Sequence, residues 1–322
     1  MIEEEKEYPK YYAVKHKEFS ERIESRSGGF FSALSNYILE KKGIVYGCLL
    51  DSSFVAIHAR ATNKDECKLF RGSKYVQSNL KDVYKCVRED LSNNLFVLFS
   101  GTSCQIDGLK RYLNGIDLTK LLLVDIICQG VPSPLIWDEY KKSLKRRYGE
   151  DLIKVDFRDK KKYGWGAHVL SFTFGGKKVI NSSKFADLFY SHFCIRPTCY
   201  YCPYKGEHRP SDISLADFWG IDKVIPSFND DNGVSLVLIN NEKGQLYFNL
   251  VNNQIEYVKT ELAYCIQPPL VENFNIPNQR ERFWEDYRKK GFDYVLKKYI
   301  KFNLKQRIKW EIKSLFRKKT QE

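Results

Sequence analysis

Cys199-Tyr200-Tyr201-Cys202 is the densest chemistry in the chain: two thiols two residues apart can reach one metal ion or cluster, and Pro203 follows directly. Two further cysteines stand singly, Cys104 after the apolar run Leu95–Phe99 and Cys128 after the run Leu121–Ile127. Runs apolar on both faces read as buried strands of a parallel sheet, and ligands collect at the carboxyl ends of such strands. Cys104, Cys128, Cys199 and Cys202 therefore form a candidate four-thiolate set. A Cys-x-x-Cys alone is equally compatible with half of a zinc site, a redox dithiol or no site. A structural zinc usually draws on paired knuckles and only one is present, which tilts the choice towards an iron–sulfur cluster. Cys194, nearby, can substitute for one ligand or be a buried bystander. Cys48, Cys67 and Cys86 have no cysteine neighbours and read as buried thiols.

A second constellation suits phosphate. Ser27-Gly28-Gly29 opens a helical pattern, and Gly101-Thr102-Ser103 stands at a strand-to-helix turn. Glycines let an anion approach the backbone, and free N–H groups with the helix dipole favour it there. Arg26 and the loop Gly72–Ser78, with Lys74 and Gln77, can add charge and hydrogen bonds to a pyrophosphate. No Gly-x-Gly-x-x-Gly fingerprint is present, so a standard dinucleotide Rossmann site is not expected. A Ser-Gly-Gly turn is more often only a helix start.

The elements that must position these residues alternate. Phe30, Leu34 and Ile38 recur at helical spacing up to Gly43; Ile44–Leu50 and Phe54–Ala59 are strand-like; residues 81–91 and those from Cys104 to Leu113 are helical, and another helix starts near Pro134. The middle reads as a meander over 152–157, 169–174 and 177–180, with Gly175-Gly176 as its hairpin turn, and strands follow at 213–216 and 234–239. The expected fold class is α/β: a mostly parallel sheet flanked by helices, an antiparallel β-meander insertion and a helical, basic C-terminal tail. The expected parts are 1–150 (flavin and cluster), 151–270 (the Cys-x-x-Cys loop) and 271–322 (the tail).

A length of 322 residues, 43% hydrophobic, describes a folded globular protein with a full core. No apolar run approaches the ~18 residues needed to cross a bilayer, and the acidic start Met1–Glu5 is unlike a secretory signal. A cytoplasmic location is expected, where disulfides are rare and nine cysteines are thiols or ligands. Residues 287–322 carry 13 Lys/Arg against Asp293, Glu311 and Glu322, so +10 of the net +13 sits in the tail. The body lacks the basic and aromatic interleaving of a nucleic-acid surface. Phe292, Val295, Leu296, Tyr299, Leu304, Ile308, Ile312 and Leu315 form a helical stripe in this tail. Peripheral contact with an anionic membrane at the inner face and packing back onto the body are both open readings.

The motifs together carry a family resemblance. Ser27–Phe31, Gly72–Ser78, Leu98–Gln105, Val124–Pro134, Phe157–Lys160, Arg196–Cys202 and Ser211–Gly220 run in family order over roughly residues 8 to 270. The chain resembles the beta-subunit family of coenzyme F420 hydrogenases and dehydrogenases, in the bacterial branch associated with polysaccharide-biosynthesis loci. The resemblance implies an FAD and a 4Fe-4S cluster, with Cys104, Cys128, Cys199 and Cys202 as ligands. It also implies electron relay between a separate ferredoxin-like donor and a small-molecule substrate. Three departures stand out: Gly-Thr-Ser-Cys replaces the family's Gly-Thr-Pro-Cys, Cys128-Gln129-Gly130 replaces Cys-His-Gly, and the N-terminal ferredoxin module of many relatives is not in this sequence.

The expected function is therefore an iron–sulfur flavoprotein oxidoreductase, with no catalytic residue assigned. Arg158, Lys160 and Trp165 are candidate substrate contacts in a segment rich in cations and aromatics, against the simpler reading of a solvated basic hairpin. His168 and His192 can donate protons, although lone histidines are more often structural. The alternatives are a non-enzymatic electron carrier and a zinc-stapled accessory protein of polysaccharide synthesis.

Overall fold

The computed structural model describes residues 8–300 and 304–319. The acidic start Met1–Glu5 and parts of the basic tail, 301–303 and 320–322, lie outside the described residues. In chain order the strands are β1 (Lys10–His16), β2 (Ile44–Leu50), β3 (Ala56–Ala61), β4 (Val97–Thr102), β5 (Leu121–Ile126), β6 (Leu152–Asp156), β7 (Leu170–Phe174), β8 (Val179–Ser182), β9 (Ile213–Asp217), β10 (Ser235–Ile239) and β11 (Ile255–Thr260). They belong to two compact units, neither of them a continuous stretch. The first comprises Met1–Arg71, Ser78–Gln129 and Pro203–Glu272; the second comprises Gly72–Gln77, Gly130–Cys202 and Asn273–Glu322.

The first unit is α/β. Its eight strands run in the order β11-β1-β10-β9-β5-β4-β2-β3. The centre is parallel, through β2–β4, β4–β5 and β5–β9, and both margins are antiparallel. Period-two alternation explains why the central strands read as unbroken apolar runs. Leu98, Leu122 and Val124 pack with Phe30, Leu34 and Ile38 of the helix Phe30–Glu40. Their neighbours Val97, Phe99, Leu121 and Leu123 pack with Val83, Val87, Ile106 and Leu109 of the helices Val83–Ser92 and Ser103–Tyr112. Each strand thus buries both faces.

The second unit holds the meander β6-β7-β8, antiparallel throughout. The hairpin turn falls at Gly175-Gly176, where the Lys177 N–H returns to the Phe174 carbonyl at 2.8 Å. An aromatic core covers the sheet: the Trp137 ring packs tilted or edge-on against Phe157 and Phe185, and Tyr140 tilted against Phe172 and Phe185, at 4.8–5.8 Å between centroids. Trp137 and Tyr140 come from the helix Pro134–Tyr148, which starts with proline and is closed by Gly149 at φ 73°. The tail is helical, over Arg280–Lys290, Phe292–Tyr299 and Leu304–Lys319.

The apolar stripe of the tail does not stay on one kind of surface. Phe292 and Val295 are buried, whereas Ile308, Ile312 and Leu315 face outward. The side chain of Leu304 lies outside the described residues. No helix among the described residues is long and apolar enough to cross a membrane.

Candidate functional site

Cys104 and Cys128 leave the first unit's sheet from the same edge. Thr102 pairs with Ile126 across the parallel β4–β5 ladder, and each cysteine lies two residues beyond its strand's paired end. Cys104 is exposed, in the first turn of Ser103–Tyr112, with its Sγ 3.1 Å from Thr102 Oγ1. That turn is where the helix dipole favours negative charge. The carbonyl of Cys128 accepts from Lys205 Nζ at 2.7 Å, and the same ammonium donates to the Pro269 carbonyl at 3.1 Å.

The knuckle belongs to the second unit. Cys199 lies in the short 3₁₀ helix Pro197–Tyr201, which the sequence offered only as loop, and its N–H donates to the Arg196 carbonyl at 2.9 Å. Asn273 clamps Cys202 from both sides: its Oδ1 accepts the Cys202 N–H at 3.1 Å, and its Nδ2 donates to the Cys202 carbonyl at 3.2 Å. Gly130–Ser133 runs antiparallel beside Cys194–Arg196, through Arg196 N–H to the Val131 carbonyl and Ser133 N–H to the Cys194 carbonyl, both 2.9 Å. A Cβ on Gly130 would lie 3.4 Å from Cys199 Cβ. The chain that has just left Cys128 is therefore held against the segment leading into Cys199.

Burial separates Cys67, Cys194 and Cys265 from these four, whereas Cys48 and Cys86, expected as buried thiols, are half-buried like Cys128, Cys199 and Cys202. Cys194 is buried, and desolvation pushes its thiol up to about 12; it donates to the Leu188 carbonyl. Cys67 and Cys265 are pushed up to about 12 by the same cause. Burial keeps these thiols protonated. None of the nine cysteines forms a disulfide. Among the described residues no three His, Cys, Asp or Glu side chains form a metal-binding group, and the four candidate cysteines divide two and two between the units.

The glycine turns have partners of their own. The Gly28 N–H donates to Ser235 Oγ at 3.0 Å, the Gly28 carbonyl accepts from His16 N–H at 2.7 Å, and Ser27 Oγ donates to the Val234 carbonyl at 2.8 Å. Gly29 stands at φ 89° before the helix Phe30–Glu40. At the other turn the Thr102 N–H donates to Gln105 Oε1 at 2.9 Å as part of a capping box, and Gln105 Nε2 donates to Ser78 Oγ at 2.9 Å. Two of the N–H groups read as phosphate donors, at Gly28 and Thr102, are thus bonded within the unit. Lys74 and Gln77 fall in the second unit, where Gln77 Oε1 accepts from Arg196 at 2.7 Å. Gln77, Arg196, Arg280 and Trp284 line a cavity of about 460 Å³.

Arg158, Lys160 and Trp165 are buried, each 4% exposed, not on a solvated hairpin. The Arg158 guanidinium donates to the carbonyls of Trp165 at 2.9 Å and Ala167 at 3.3 Å. Charge-assisted bonds of this kind hold the loop closed. Arg158→Ala is expected to destabilise the protein by roughly 2–4 kcal/mol, since two buried carbonyls lose a charged donor. Thermal unfolding reads this, and an unchanged melting temperature would show that these bonds hold nothing.

One group of residues at the cysteine-bearing edge escaped the sequence reading. Asp125 on β5 accepts from Arg209 at 2.7 Å, Ser103 Oγ at 2.6 Å and Ser211 Oγ at 2.9 Å. The ion pair is fully enclosed, its side chains 1% and 0% exposed. Arg209 also donates to the Tyr204 carbonyl at 2.6 Å. Asp212 next door accepts the Leu123 N–H at 2.8 Å and Asn241 Nδ2 at 2.9 Å. The signal was present as Ser211-Asp212-Ile213-Ser214, in which polar residues enter an otherwise apolar strand.

The family model for the coenzyme F420 hydrogenase/dehydrogenase beta subunit, C terminus, matches residues 96–263, just over half of the chain. The chain belongs to that family. Membership gives it a redox role, in electron transfer. Among solved structures, a chain of the F420-reducing NiFe hydrogenase complex from Methanosarcina barkeri, studied as a xenon derivative, is similar with a TM-score of 0.54 and 19% identity, over 80% of this chain and 85% of that one. At that identity the likeness shows a shared fold. No curated protein matches the sequence.

Proposed function

We propose that this protein is an iron–sulfur flavoprotein oxidoreductase in which Cys104, Cys128, Cys199 and Cys202 hold one 4Fe-4S cluster. Electrons pass from a separate ferredoxin-like donor, with FAD as second cofactor, to a small-molecule substrate in surface-polysaccharide synthesis. The observation that carries the reading is the antiparallel run of Gly130–Ser133 beside Cys194–Arg196. By it, the residues just after Cys128 lie against those just before Cys199, in a chain of a redox family. The donor chemistry fits a cluster: Cys104 is exposed and the other three are half-buried, unlike the enclosed thiols of Cys67, Cys194 and Cys265.

Single-electron transfer is what a bound cluster supplies, and two-electron hydride chemistry is what a flavin supplies. The chain's own residues position and shield. Lys205 fixes the Cys128 backbone, Asn273 fixes that of Cys202, and the Asp125–Arg209 pair holds the strand edge that carries Cys104 and Cys128. The glycine turns do not fit a pyrophosphate in the same way, because the N–H groups of Gly28 and Thr102 are already bonded. FAD and the polysaccharide setting enter the proposal through the family resemblance; Ser27, Gly29, Lys74, Gln77 and Gly101 enter it as residues suited to a phosphate, and Arg158, Lys160 and Trp165 as substrate contacts from a segment rich in cations and aromatics. A complex with partner subunits is part of it, because the similar solved chain comes from a hydrogenase complex.

Anaerobic purification of the full chain tests the proposal. Brown protein with equal iron and acid-labile sulfide, and one flavin per chain, is the expected result. Colourless protein with stoichiometric zinc would replace it with a structural metal site. Reduction of the flavin without turnover of any candidate sugar substrate would leave an electron carrier.

A further inference from the structure

The described side chains of the helix Leu304–Lys319 divide between a packed and an exposed face. Trp310 rests on the cluster of Tyr163, Ala167 and Val169, and Ser314 is buried. The Tyr163 hydroxyl reaches Glu311 Oε1 at 3.4 Å. With 3.6 residues per turn, Trp310 and Ser314 share one side, and Ile308, Ile312 and Leu315 line the opposite one. Those three are 50%, 49% and 64% exposed. Exposed aliphatic residues scattered singly are ordinary, but three aligned over two turns form a stripe that water does not favour. The preceding helix differs: Phe292 and Val295 of Phe292–Tyr299 are buried, so its apolar face is already used.

Charge decides what covers the stripe. Residues 304–319 carry seven Lys/Arg against Glu311 alone, and Lys309, beside the stripe, is exposed. We propose that the outer face of this helix, centred on Ile308, Ile312 and Leu315, docks in the plane of an anionic lipid surface. Aliphatic side chains enter the boundary between headgroups and acyl chains, while long cationic side chains keep their heads among the phosphates. A second copy of the chain would bring the same positive segment and repel it. The inference is independent of the cofactors.

Co-sedimentation of the full chain with vesicles tests it, using phosphatidylcholine mixed with phosphatidylglycerol against phosphatidylcholine alone. Binding is expected to the anionic vesicles only, to weaken with added salt, and to fall about tenfold or more in the combined variant Ile308→Ser, Ile312→Ser, Leu315→Ser. Unchanged Trp fluorescence of that variant in solution shows that Trp310 is still docked. Three results would overturn the proposal: no binding by the wild-type chain, equal binding by the variant, or a wild-type dimer that the variant dissolves without any vesicle binding.

Discussion

Gly28→Ala is expected to abolish folding, or to cost more than about 4 kcal/mol, the range reserved for changes that leave the backbone nowhere to go. A Cβ at this position would stand 2.0 Å from the Val14 carbonyl oxygen and 2.6 Å from the Ser235 N. Val14 and Ser235 are register partners of the β1–β10 ladder, so neither can yield without opening the sheet. Denaturant unfolding, or soluble yield if nothing folds, reads the outcome. The same variant separates two roles for the Ser27-Gly28-Gly29 turn. Stable protein lacking flavin would mean that the glycine serves a phosphate; loss of the fold means that it serves the sheet.

Arg209→Met is expected to cost about 3–5 kcal/mol, because it leaves the Asp125 carboxylate enclosed with only hydroxyl donors. Asp125→Asn removes the charge from the other side of the pair. If the two side chains act as one unit, the double variant should be less destabilised than the sum of the singles by about 1–3 kcal/mol. Simple additivity would mean that the 2.7 Å contact contributes nothing as a pair. Ser103, which donates to the same carboxylate, is the residue before Cys104, and Arg209 also bonds the Tyr204 carbonyl. Damage here is therefore expected to lower cluster content in whatever protein still folds.

Much of the parallel centre was legible for one physical reason. Strands covered on both faces must be largely apolar; 95–99 is apolar throughout, and 121–127 is apart from the paired Asp125. The Gly175-Gly176 hairpin and the proline-started helix at Pro134 were legible because glycine and proline restrict the backbone locally. β1 and β11 did not stand out. Lys10 and Lys15 punctuate the first and Glu256 and Lys259 the second, and their pairing depends on partners more than 200 residues away in sequence. The tail shows the limit of periodicity. A helical apolar stripe says which residues share a face, not what covers it, and that face is buried at Phe292 and Val295 but open at Ile308, Ile312 and Leu315.

The candidate site was read from its cysteines, with its supports left obscure. Spacing picked out Cys199 and Cys202, and strand ends picked out Cys104 and Cys128; all four are less buried than Cys67, Cys194 and Cys265, but three of them are no more exposed than Cys48 and Cys86. Glycine was ambiguous, since the same residue admits a phosphate or another strand. Thr102-Ser103-Cys104-Gln105 has the Thr-x-x-Gln spacing of a capping box, a reading that explains the turn without a ligand. Asn273 and Lys205 could not be found from sequence, because each bonds to the backbone of a residue more than 70 positions away.

The most direct test of the central claim is iron and sulfide content across single Cys→Ser variants of the anaerobically purified chain, with Cys194→Ser as the comparison. Each of Cys104→Ser, Cys128→Ser, Cys199→Ser and Cys202→Ser should lose most of its iron, while Cys194→Ser keeps it. Full iron in any of the first four, or loss confined to Cys194→Ser, would contradict the assignment.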